Sequence, residues 1–599
     1  MRRFLAYIRD NEPRAVTLWV LFTLGLGVVG LQGYPDGVPF DLSDLLYQSA
    51  QLFVLQLQVV PDKTTWTLEL ARWSAAAVSF YAVLRAGSVL FAGEIERLRL
   101  RRLSGHVVVC GLGRKGHRLA HDFLSRGERV VVIEKDEEND YLLAAREAGA
   151  VVMLNAAADE AILRQARVAQ ASLLLAVTGD DGANIETALA ARRLVREGAP
   201  GRTRPLRVLS HVSDLRLCGL LRGAKVLTGG KEPVEAMPFN IHEAAARVLL
   251  RDHPLDRERL GPGDPRFVHL CVVGFGQMGE SIALQAARLV HVANGSRLHV
   301  TIVDRKAEER RQRFLGRCPG FTSVAHLDVL EGDVEYAEVL ERIEEWGRDS
   351  SRLLNIAVCL DDDRRGIACG LTLVERLRGR QVPVRVRMSQ EVGMSALVHG
   401  TGEGHWTGQI SVFGMLDRLC TGESVLGEEL DRLARRTHEH YLKRKLAEGE
   451  TLGSRPALKE WSELDEFFRE SNRQQADHIR VKLRAIGCRL EPASPPDTAP
   501  GAFAFTAEEV ELLARMEHDR WCARHLLEGW RRGDTRDDVA RTHPCIIPWG
   551  DHEERYRDND RAAVRQIPEL LELVGQRIVR EAISENPEDA SVSRMQRAG

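Results

Sequence analysis

Two short stretches of this chain have the residue types and spacing to hold a chain of phosphates. Gly111-Leu112-Gly113-Arg114-Lys115-Gly116 and Gly274-Phe275-Gly276-Gln277-Met278-Gly279 both read Gly-x-Gly-x-x-Gly. In such a run the first glycine makes a tight turn, the second lets backbone amides approach a pyrophosphate, and the third allows the next helix to pack closely. The phosphates then rest on the positive end of that helix. An acid at the end of the following strand accepts hydrogen bonds from a ribose. Glu134, followed by Lys135, fills that place in the first copy, and Asp304, followed by Arg305, in the second. The chemistry implied is binding of a dinucleotide or adenosine nucleotide.

A third constellation lies near the C-terminus. Glu517, Trp521 and Arg524 recur at helical spacing and share one face, with Trp530, His543, Pro544 and Arg561 following. Aromatic, guanidinium and imidazole groups could stack on a ring and pair with an anion, so this region is a candidate ligand pocket. Nothing comparable points to catalysis. No His/Asp or Lys/Tyr pair has the spacing of hydride chemistry, and Asp361, Asp362 and Asp363 read as the charged tip of a strand, so neither catalytic residues nor a metal are expected.

These residues need elements to position them. The runs 106–110 and 268–273 are apolar and enter the glycine turns directly, as buried strands of a parallel sheet do. Further strands are predicted at 129–133, 150–154, 172–177, 206–210, 298–303 and 355–360, with helical stretches between. Alternating strands and helices define a doubly wound α/β module. Two copies about 160 residues apart, from position 111 to position 274, make an internal repeat. The expected modules span 104–235 and 264–400, and the second copy carries an insertion at 292–296. Residues 415–490 read as a charged helical connector, 491–504 as a Pro-rich linker, and Thr506 with Glu509 as a capping box opening the last module, 505–576. The polar tail 586–599 reads as disordered.

At 599 residues there is room for three to five folding units of roughly 100–200 residues each. A net charge of -3 gives no general attraction to nucleic acid. Ten scattered cysteines without a CxxC pair read as reduced thiols of a cytosolic body. The N-terminus departs from this picture. Residues 15–34 are uncharged and long enough to span a bilayer, and 72–92 form a second candidate interrupted by Arg85. Arg2, Arg3, Arg9 and Arg14 precede the first, and Arg97, Arg99, Arg101 and Arg102 follow the second, while Asp36, Asp41, Asp44 and Asp62 lie between. The positive-inside rule then predicts a hairpin in the inner (cytoplasmic) membrane with both termini and most of the chain in the cytosol. The uncharged, Gln-dotted segment 45–60 reads as a re-entrant or surface helix, without the glycine-rich filter of a potassium pore.

The stretches 106–116, 132–136 and 176–184 resemble the Trk-type regulator, or RCK, family of nucleotide-sensing domains on potassium channels and transporters. The resemblance implies NAD(H) or another adenine nucleotide as ligand and adds Thr178 and Asp333 to the expected sites. It also implies a homo-oligomer. The first copy departs from the family with Asn155-Ala156 where Gly-Asp is usual; the second keeps Gly332-Asp333. Glu517-His-x-x-Trp521, Glu528-Gly-Trp530, 543–548 and Asp560-Arg561 resemble the ryanodine-receptor (RyR) repeat domain.

The expected protein is therefore a transmembrane helical hairpin, two tandem Rossmann modules and a mainly helical RyR-like domain. It would sense a nucleotide and control ion transport, potassium above all, either through its own oligomeric hairpin or beside a separate transporter subunit. A nucleotide-triggered membrane effector in phage defence and an NAD-dependent oxidoreductase are the alternatives.

Overall fold

The computed structural model describes residues 12–33, 41–56, 64–90, 100–198, 204–223, 233–389, 409–414, 416–425, 431–493 and 503–581. Most of the charges used to orient the hairpin, the stretch 494–502 of the expected linker, the tail 586–599 and the ends of the 45–60 and 72–92 segments lie outside the described residues. The chain divides into two compact units, Met1–Arg102 and Leu103–Gly599.

The N-terminal unit holds α1 (Glu12–Gln32), α2 (Leu42–Gln51) and α3 (Trp66–Leu90). α1 and α3 run antiparallel. Thr23 Oγ1 and Trp19 Nε1 lie 2.7 and 2.9 Å from Ser74 Oγ, while towards the other end Thr65 Oγ1 donates to Gly30 O at 3.2 Å. Gly30 is required there, because a Cβ would come 2.7 Å from the Leu68 nitrogen. α2 and the turn after it bury Leu45, Ser49 and Leu52 against these helices, and Ser79 Oγ donates to Phe53 O at 2.6 Å. Large apolar groups face outward from both long helices: Leu18, Leu21 and Phe22 on α1, and Trp66, Trp73 and Phe80 on α3. Among the described residues one helix, Arg14–Gln32, is long and apolar enough to cross a membrane. The helix of the second expected span begins at Trp66 rather than at 72, and so takes in Glu69 besides Arg72 and Arg85.

The larger unit contains two six-stranded parallel sheets. β1 (Val107–Cys110), β2 (Val130–Glu134), β3 (Val151–Leu154), β4 (Leu173–Ala176), β5 (Leu206–His211) and β6 (Val234–Phe239) lie in the order β3-β2-β1-β4-β5-β6. β7 (Phe267–Val273), β8 (His299–Asp304), β9 (His326–Glu331), β10 (Arg352–Val358), β11 (Val384–Arg387) and β12 (Ile410–Phe413) repeat it as β9-β8-β7-β10-β11-β12. This is the doubly wound order, with the chain reversing direction at the first strand, where such sheets hold ligands. The central strands β1, β2 and β4 are buried along their whole length, as parallel strands covered on both faces must be. The outer strands β6, β9, β11 and β12 were not read as strands from sequence. β11 and β12 are four residues long, β9 has a single buried position, and β6 alternates buried with half-buried positions and carries Pro238 at the sheet edge. The sheets consequently extend past the expected boundaries at 235 and 400.

α4 (Arg114–Ser125) and α5 (Asp181–Gly198) flank the first sheet. α6 (Ile241–Asp252) leaves its last strand and packs on α7 (Gln277–Leu289), the helix after the second glycine turn. One apolar core, from Val109 and Leu249 to Val272 and Ile282, runs through both modules. α8 (Asp363–Arg376) covers the second sheet. α9 (Arg432–Ala447) and α10 (Glu466–Ala485) form the connector.

The last module is built on α11 (Ala507–Leu527) and α12 (Glu554–Arg565). Thr506 and Glu509 make both capping-box hydrogen bonds at the start of α11. α10 belongs to this module more than to a linker: Ile479 and Leu483 share its core with Leu513, Val564 and Leu571. After β14 (Arg531–Arg532) and β15 (Thr542–His543), the final strand β16 (Gln576–Arg580) pairs antiparallel with β13 (Cys488–Pro492), which follows α10.

Candidate functional site

The first glycine turn has the geometry that phosphate binding requires. Gly111 has φ +94°, and its Cβ would strike Thr178; a Cβ on Gly116 would lie 1.8 Å from Gly111 O. Around Gly113 the space is open for 4 Å, so a ligand can reach the backbone there. Gly113 caps α4, whose first-turn amides point outward at Arg114 and Lys115. Beneath the turn Glu134 is buried and fixed: Oε2 accepts from Leu112 N at 2.5 Å, and Oε1 from Lys135 N and Asp136 N at 2.8 and 3.0 Å. Thr178 forms the opposite lip. Its amide and hydroxyl both donate to Asn184 Oδ1, at 2.9 and 2.8 Å. Lys115 Nζ lies 3.2 Å from His211 Nδ1. Burial lowers both groups, and with Lys115 alongside, His211 is brought down to about 3 and stays neutral.

These residues line a cleft of about 710 Å³, within the range of ligand sites. Gly111, Gly113, Arg114, Lys115, Glu134, Lys135 and Thr178 all border it, as do Asn155 and Ala156, the latter standing where the resemblance expects an acid. Residues from the second module close it: Met278 from the second glycine turn, and Arg387, Ser389 and Gly414 from the ends of β11 and β12. Arg114 Nη1 donates to Ser389 Oγ at 3.1 Å, and Ser389 Oγ donates to Asp363 Oδ2 at 2.6 Å. Sequence reasoning missed Arg387, Ser389 and Gly414. The partners Arg114 and Ser389 are 275 positions apart, and no local pattern links them.

The second turn repeats the scaffold. Gly274 has φ +85°, Gly276 opens onto free space, and a Cβ on Gly279 would lie 2.6 Å from Gly274 O. Asp304 Oδ2 accepts from Phe275 N at 3.0 Å, as Glu134 does from Leu112, and Oδ1 accepts from Lys306 N at 3.0 Å. Gln277 and Met278 open α7. Asp333, however, is already engaged: Arg305 Nε donates to its Oδ2 at 2.7 Å and Arg365 Nη2 at 3.3 Å. Burial opposes its charge, but the Glu335 amide and Arg305 hold it below the usual carboxylate range.

The seven residues expected to form the RyR-like pocket separate into three groups. Glu517 is enclosed, with Lys482 Nζ at 2.6 Å and Arg520 Nη2 at 2.7 Å. Burial works against its charge, yet Arg520 and Lys482 keep it well below the ordinary range. Arg524 is also buried; it donates to Phe467 O at 2.7 Å and stacks 4.1 Å from the Phe467 ring. Trp521, Trp530 and His543 do cluster, with His525 3.9 Å from Trp521 and His543 5.0 Å from it, and Pro544 follows His543. Arg561 lies apart, paired with Glu511 at 2.7 Å and with Asp558. Glu517 and Arg524 therefore tie α11 to α10 and to Phe467 rather than opening onto a common cavity with Arg561. Among the described residues no group of three His, Cys, Asp or Glu side chains is placed to hold a metal ion.

The larger unit is thus a pair of Rossmann modules with a helical module docked on them. Residues 107–212 match the TrkA-N domain, and residues 504–580 match the RyR domain. A relative, Potassium channel protein 1 of Methanocaldococcus jannaschii, is 27% identical over 96 residues, 16% of this chain and 29% of that protein, so the match spans under a third of the relative. Among solved structures, the GsuK channel bound to NAD aligns with a TM-score of 0.38 at 13% identity, covering 72% of this chain and 85% of that one. The human SLO3 gating ring aligns with a TM-score of 0.37 at 12% identity, covering 54% and 83%.

Proposed function

We propose that the chain is a membrane-anchored regulator that senses NAD(H) or a related adenine nucleotide and thereby gates or controls potassium transport. One observation carries the reading: an open cleft of about 710 Å³ over Gly113, with Glu134 fixed at its floor and its far wall contributed by the second module. A ligand bridging both walls changes the relative stability of module arrangements only as far as it binds them unequally, and that difference is the available signal. The TrkA-N match over the first module and the short match to a potassium channel protein support the ligand class and the transport role. In this reading α1 and α3 are a hairpin in the inner membrane with both ends in the cytosol. Outward Trp, Phe and Leu side chains on both helices, and the hydrogen bonds of Thr23 and Trp19 to Ser74 between them, fit helices packed in lipid. The chain acts as a homo-oligomer and not as an enzyme.

Potassium flux into liposomes holding the full chain is expected to change at least fivefold on adding NAD+, NADH or ADP. Flux that is indistinguishable with and without all three would overturn the gating role.

A further inference from the structure

A second cleft, of about 860 Å³, lies between the outer edge of the first sheet and the connector. Ile241 and Leu419 line both clefts and form the wall between them. One side is apolar: Leu209 of β5 and Val234, Ala236, Met237 and Phe239 of β6, the strand that ends its sheet. The other side is built around Trp461. Two guanidiniums sit against its ring, Arg435 at 5.8 Å and Arg469 at 6.0 Å from the centroid. Arg469 is oriented by donating to the carbonyls of Trp461 and Ser462, at 2.9 and 2.8 Å.

The charge accounting in this cleft singles out the Trp461 wall. Arg222 is matched by Glu243 at 2.7 Å, and Arg473 and Arg247 by Asp431 at 2.8 and 3.2 Å. Arg469 has its nearest carboxylate, Glu466, at 3.9 Å, with Glu235 and Asp431 acting from farther off; Lys459 has its nearest, Asp465, at 4.0 Å; and Arg435 makes no ion pair among the described residues. Burial lowers the Arg469 pKa, the sign of a cation incompletely offset. Arg435 Nε is enclosed and, among the described residues, has no hydrogen-bond partner. An enclosed donor left unmet costs about 1–3 kcal/mol, so the Arg435 guanidinium is not satisfied among the described residues.

We propose that this cleft binds a mononucleotide-sized organic anion, its planar body along β6 and its phosphate against Arg435 and Arg469. Arg469, fixed by two backbone carbonyls beside the indole, is preoriented for phosphate oxygens, because less side-chain freedom is lost on binding. The site is separate from both glycine turns and uses none of their residues.

The test uses the full chain in detergent with Gly113→Asp and Gly276→Asp combined, which places a carboxylate at each phosphate turn. AMP is the probe and adenosine the uncharged control, both titrated by calorimetry. The expected result is one AMP per chain, with adenosine at least tenfold weaker. Adding Arg435→Gln is expected to weaken AMP at least tenfold, and Arg435→Lys to recover part of that loss. No AMP binding to the doubly substituted chain, adenosine binding as tightly as AMP, or an unchanged affinity after Arg435→Gln would each overturn the proposal.

Discussion

The two Rossmann modules share a strand order, a glycine turn and an acid pinned beneath it, but their surroundings have diverged. Over the first turn the space is a cleft whose far wall is the second module. In the second, Asp333, the expected contact to the adenosine, is held by Arg305 and Arg365. The second module has instead become the seat of the C-terminal domain. Its insertion at 292–296 places Ala293 in the core of that domain, and the His291 carbonyl lies 3.1 Å from His478 Nε2 of α10. Gly320 meets the end of α11 so closely that a Cβ would fall 1.9 Å from Leu526 O. The two scaffolds therefore differ in what covers them: a cleft closed by the other module over the first, the C-terminal domain packed on the second.

The largest effect should appear on the docking side. Glu517→Gln would leave Lys482 and Arg520 enclosed without their counter-charge, a loss of about 3–5 kcal/mol. Calorimetric melting should show the C-terminal transition lowered, while nucleotide affinity at the first cleft stays within twofold; an unmoved transition would contradict this. The third glycines sharpen the contrast on the ligand side. Ala at Gly116 would put a methyl 1.8 Å from a carbonyl oxygen, against 2.6 Å at Gly279. Gly116→Ala should weaken NAD(H) at least tenfold in equilibrium titration and Gly279→Ala less than threefold, and the opposite order would reverse the assignment of roles.

A smaller effect depends on pH. Burial, and then the charge of Glu517, push the Asp560 carboxyl up to about 8. The folded chain therefore holds this proton between roughly pH 4 and pH 8 while the unfolded chain releases it, so the group's contribution to stability falls as pH rises through that window. Asp560→Asn should raise the C-terminal melting temperature more at pH 8 than at pH 5. An equal shift at both would show that Asp560 does not titrate there.

The sequence made the scaffold legible because its signals are local. Apolar runs ending in glycine turns identify β1 and β7, and Thr506 with Glu509 marks the start of α11. Glu134 and Asp304 fall where strand ends must fall. What stayed hidden depends on contacts between distant positions. Outer strands such as β11 and β12, four residues each, are too short to carry a period. The closure of the first cleft by Ser389 and Arg387 follows from how α6 packs on α7, which no spacing encodes. Glu517 and Arg524 were read as pocket residues because they share a helical face with Trp521, yet that face is the one pressed against α10 and Phe467. A face on a helix can be deduced from periodicity; what covers it cannot.

The central claim is that the nucleotide occupies the first turn. Since nothing lies within 4 Å of a Cβ at either Gly113 or Gly276, aspartate fits at both, and its charge, not its bulk, is what a phosphate would meet. Calorimetry of NAD(H) binding to the full chain should show at least a hundredfold loss for Gly113→Asp, about 2.7 kcal/mol, and near-native affinity for Gly276→Asp. Native affinity in Gly113→Asp would contradict the account.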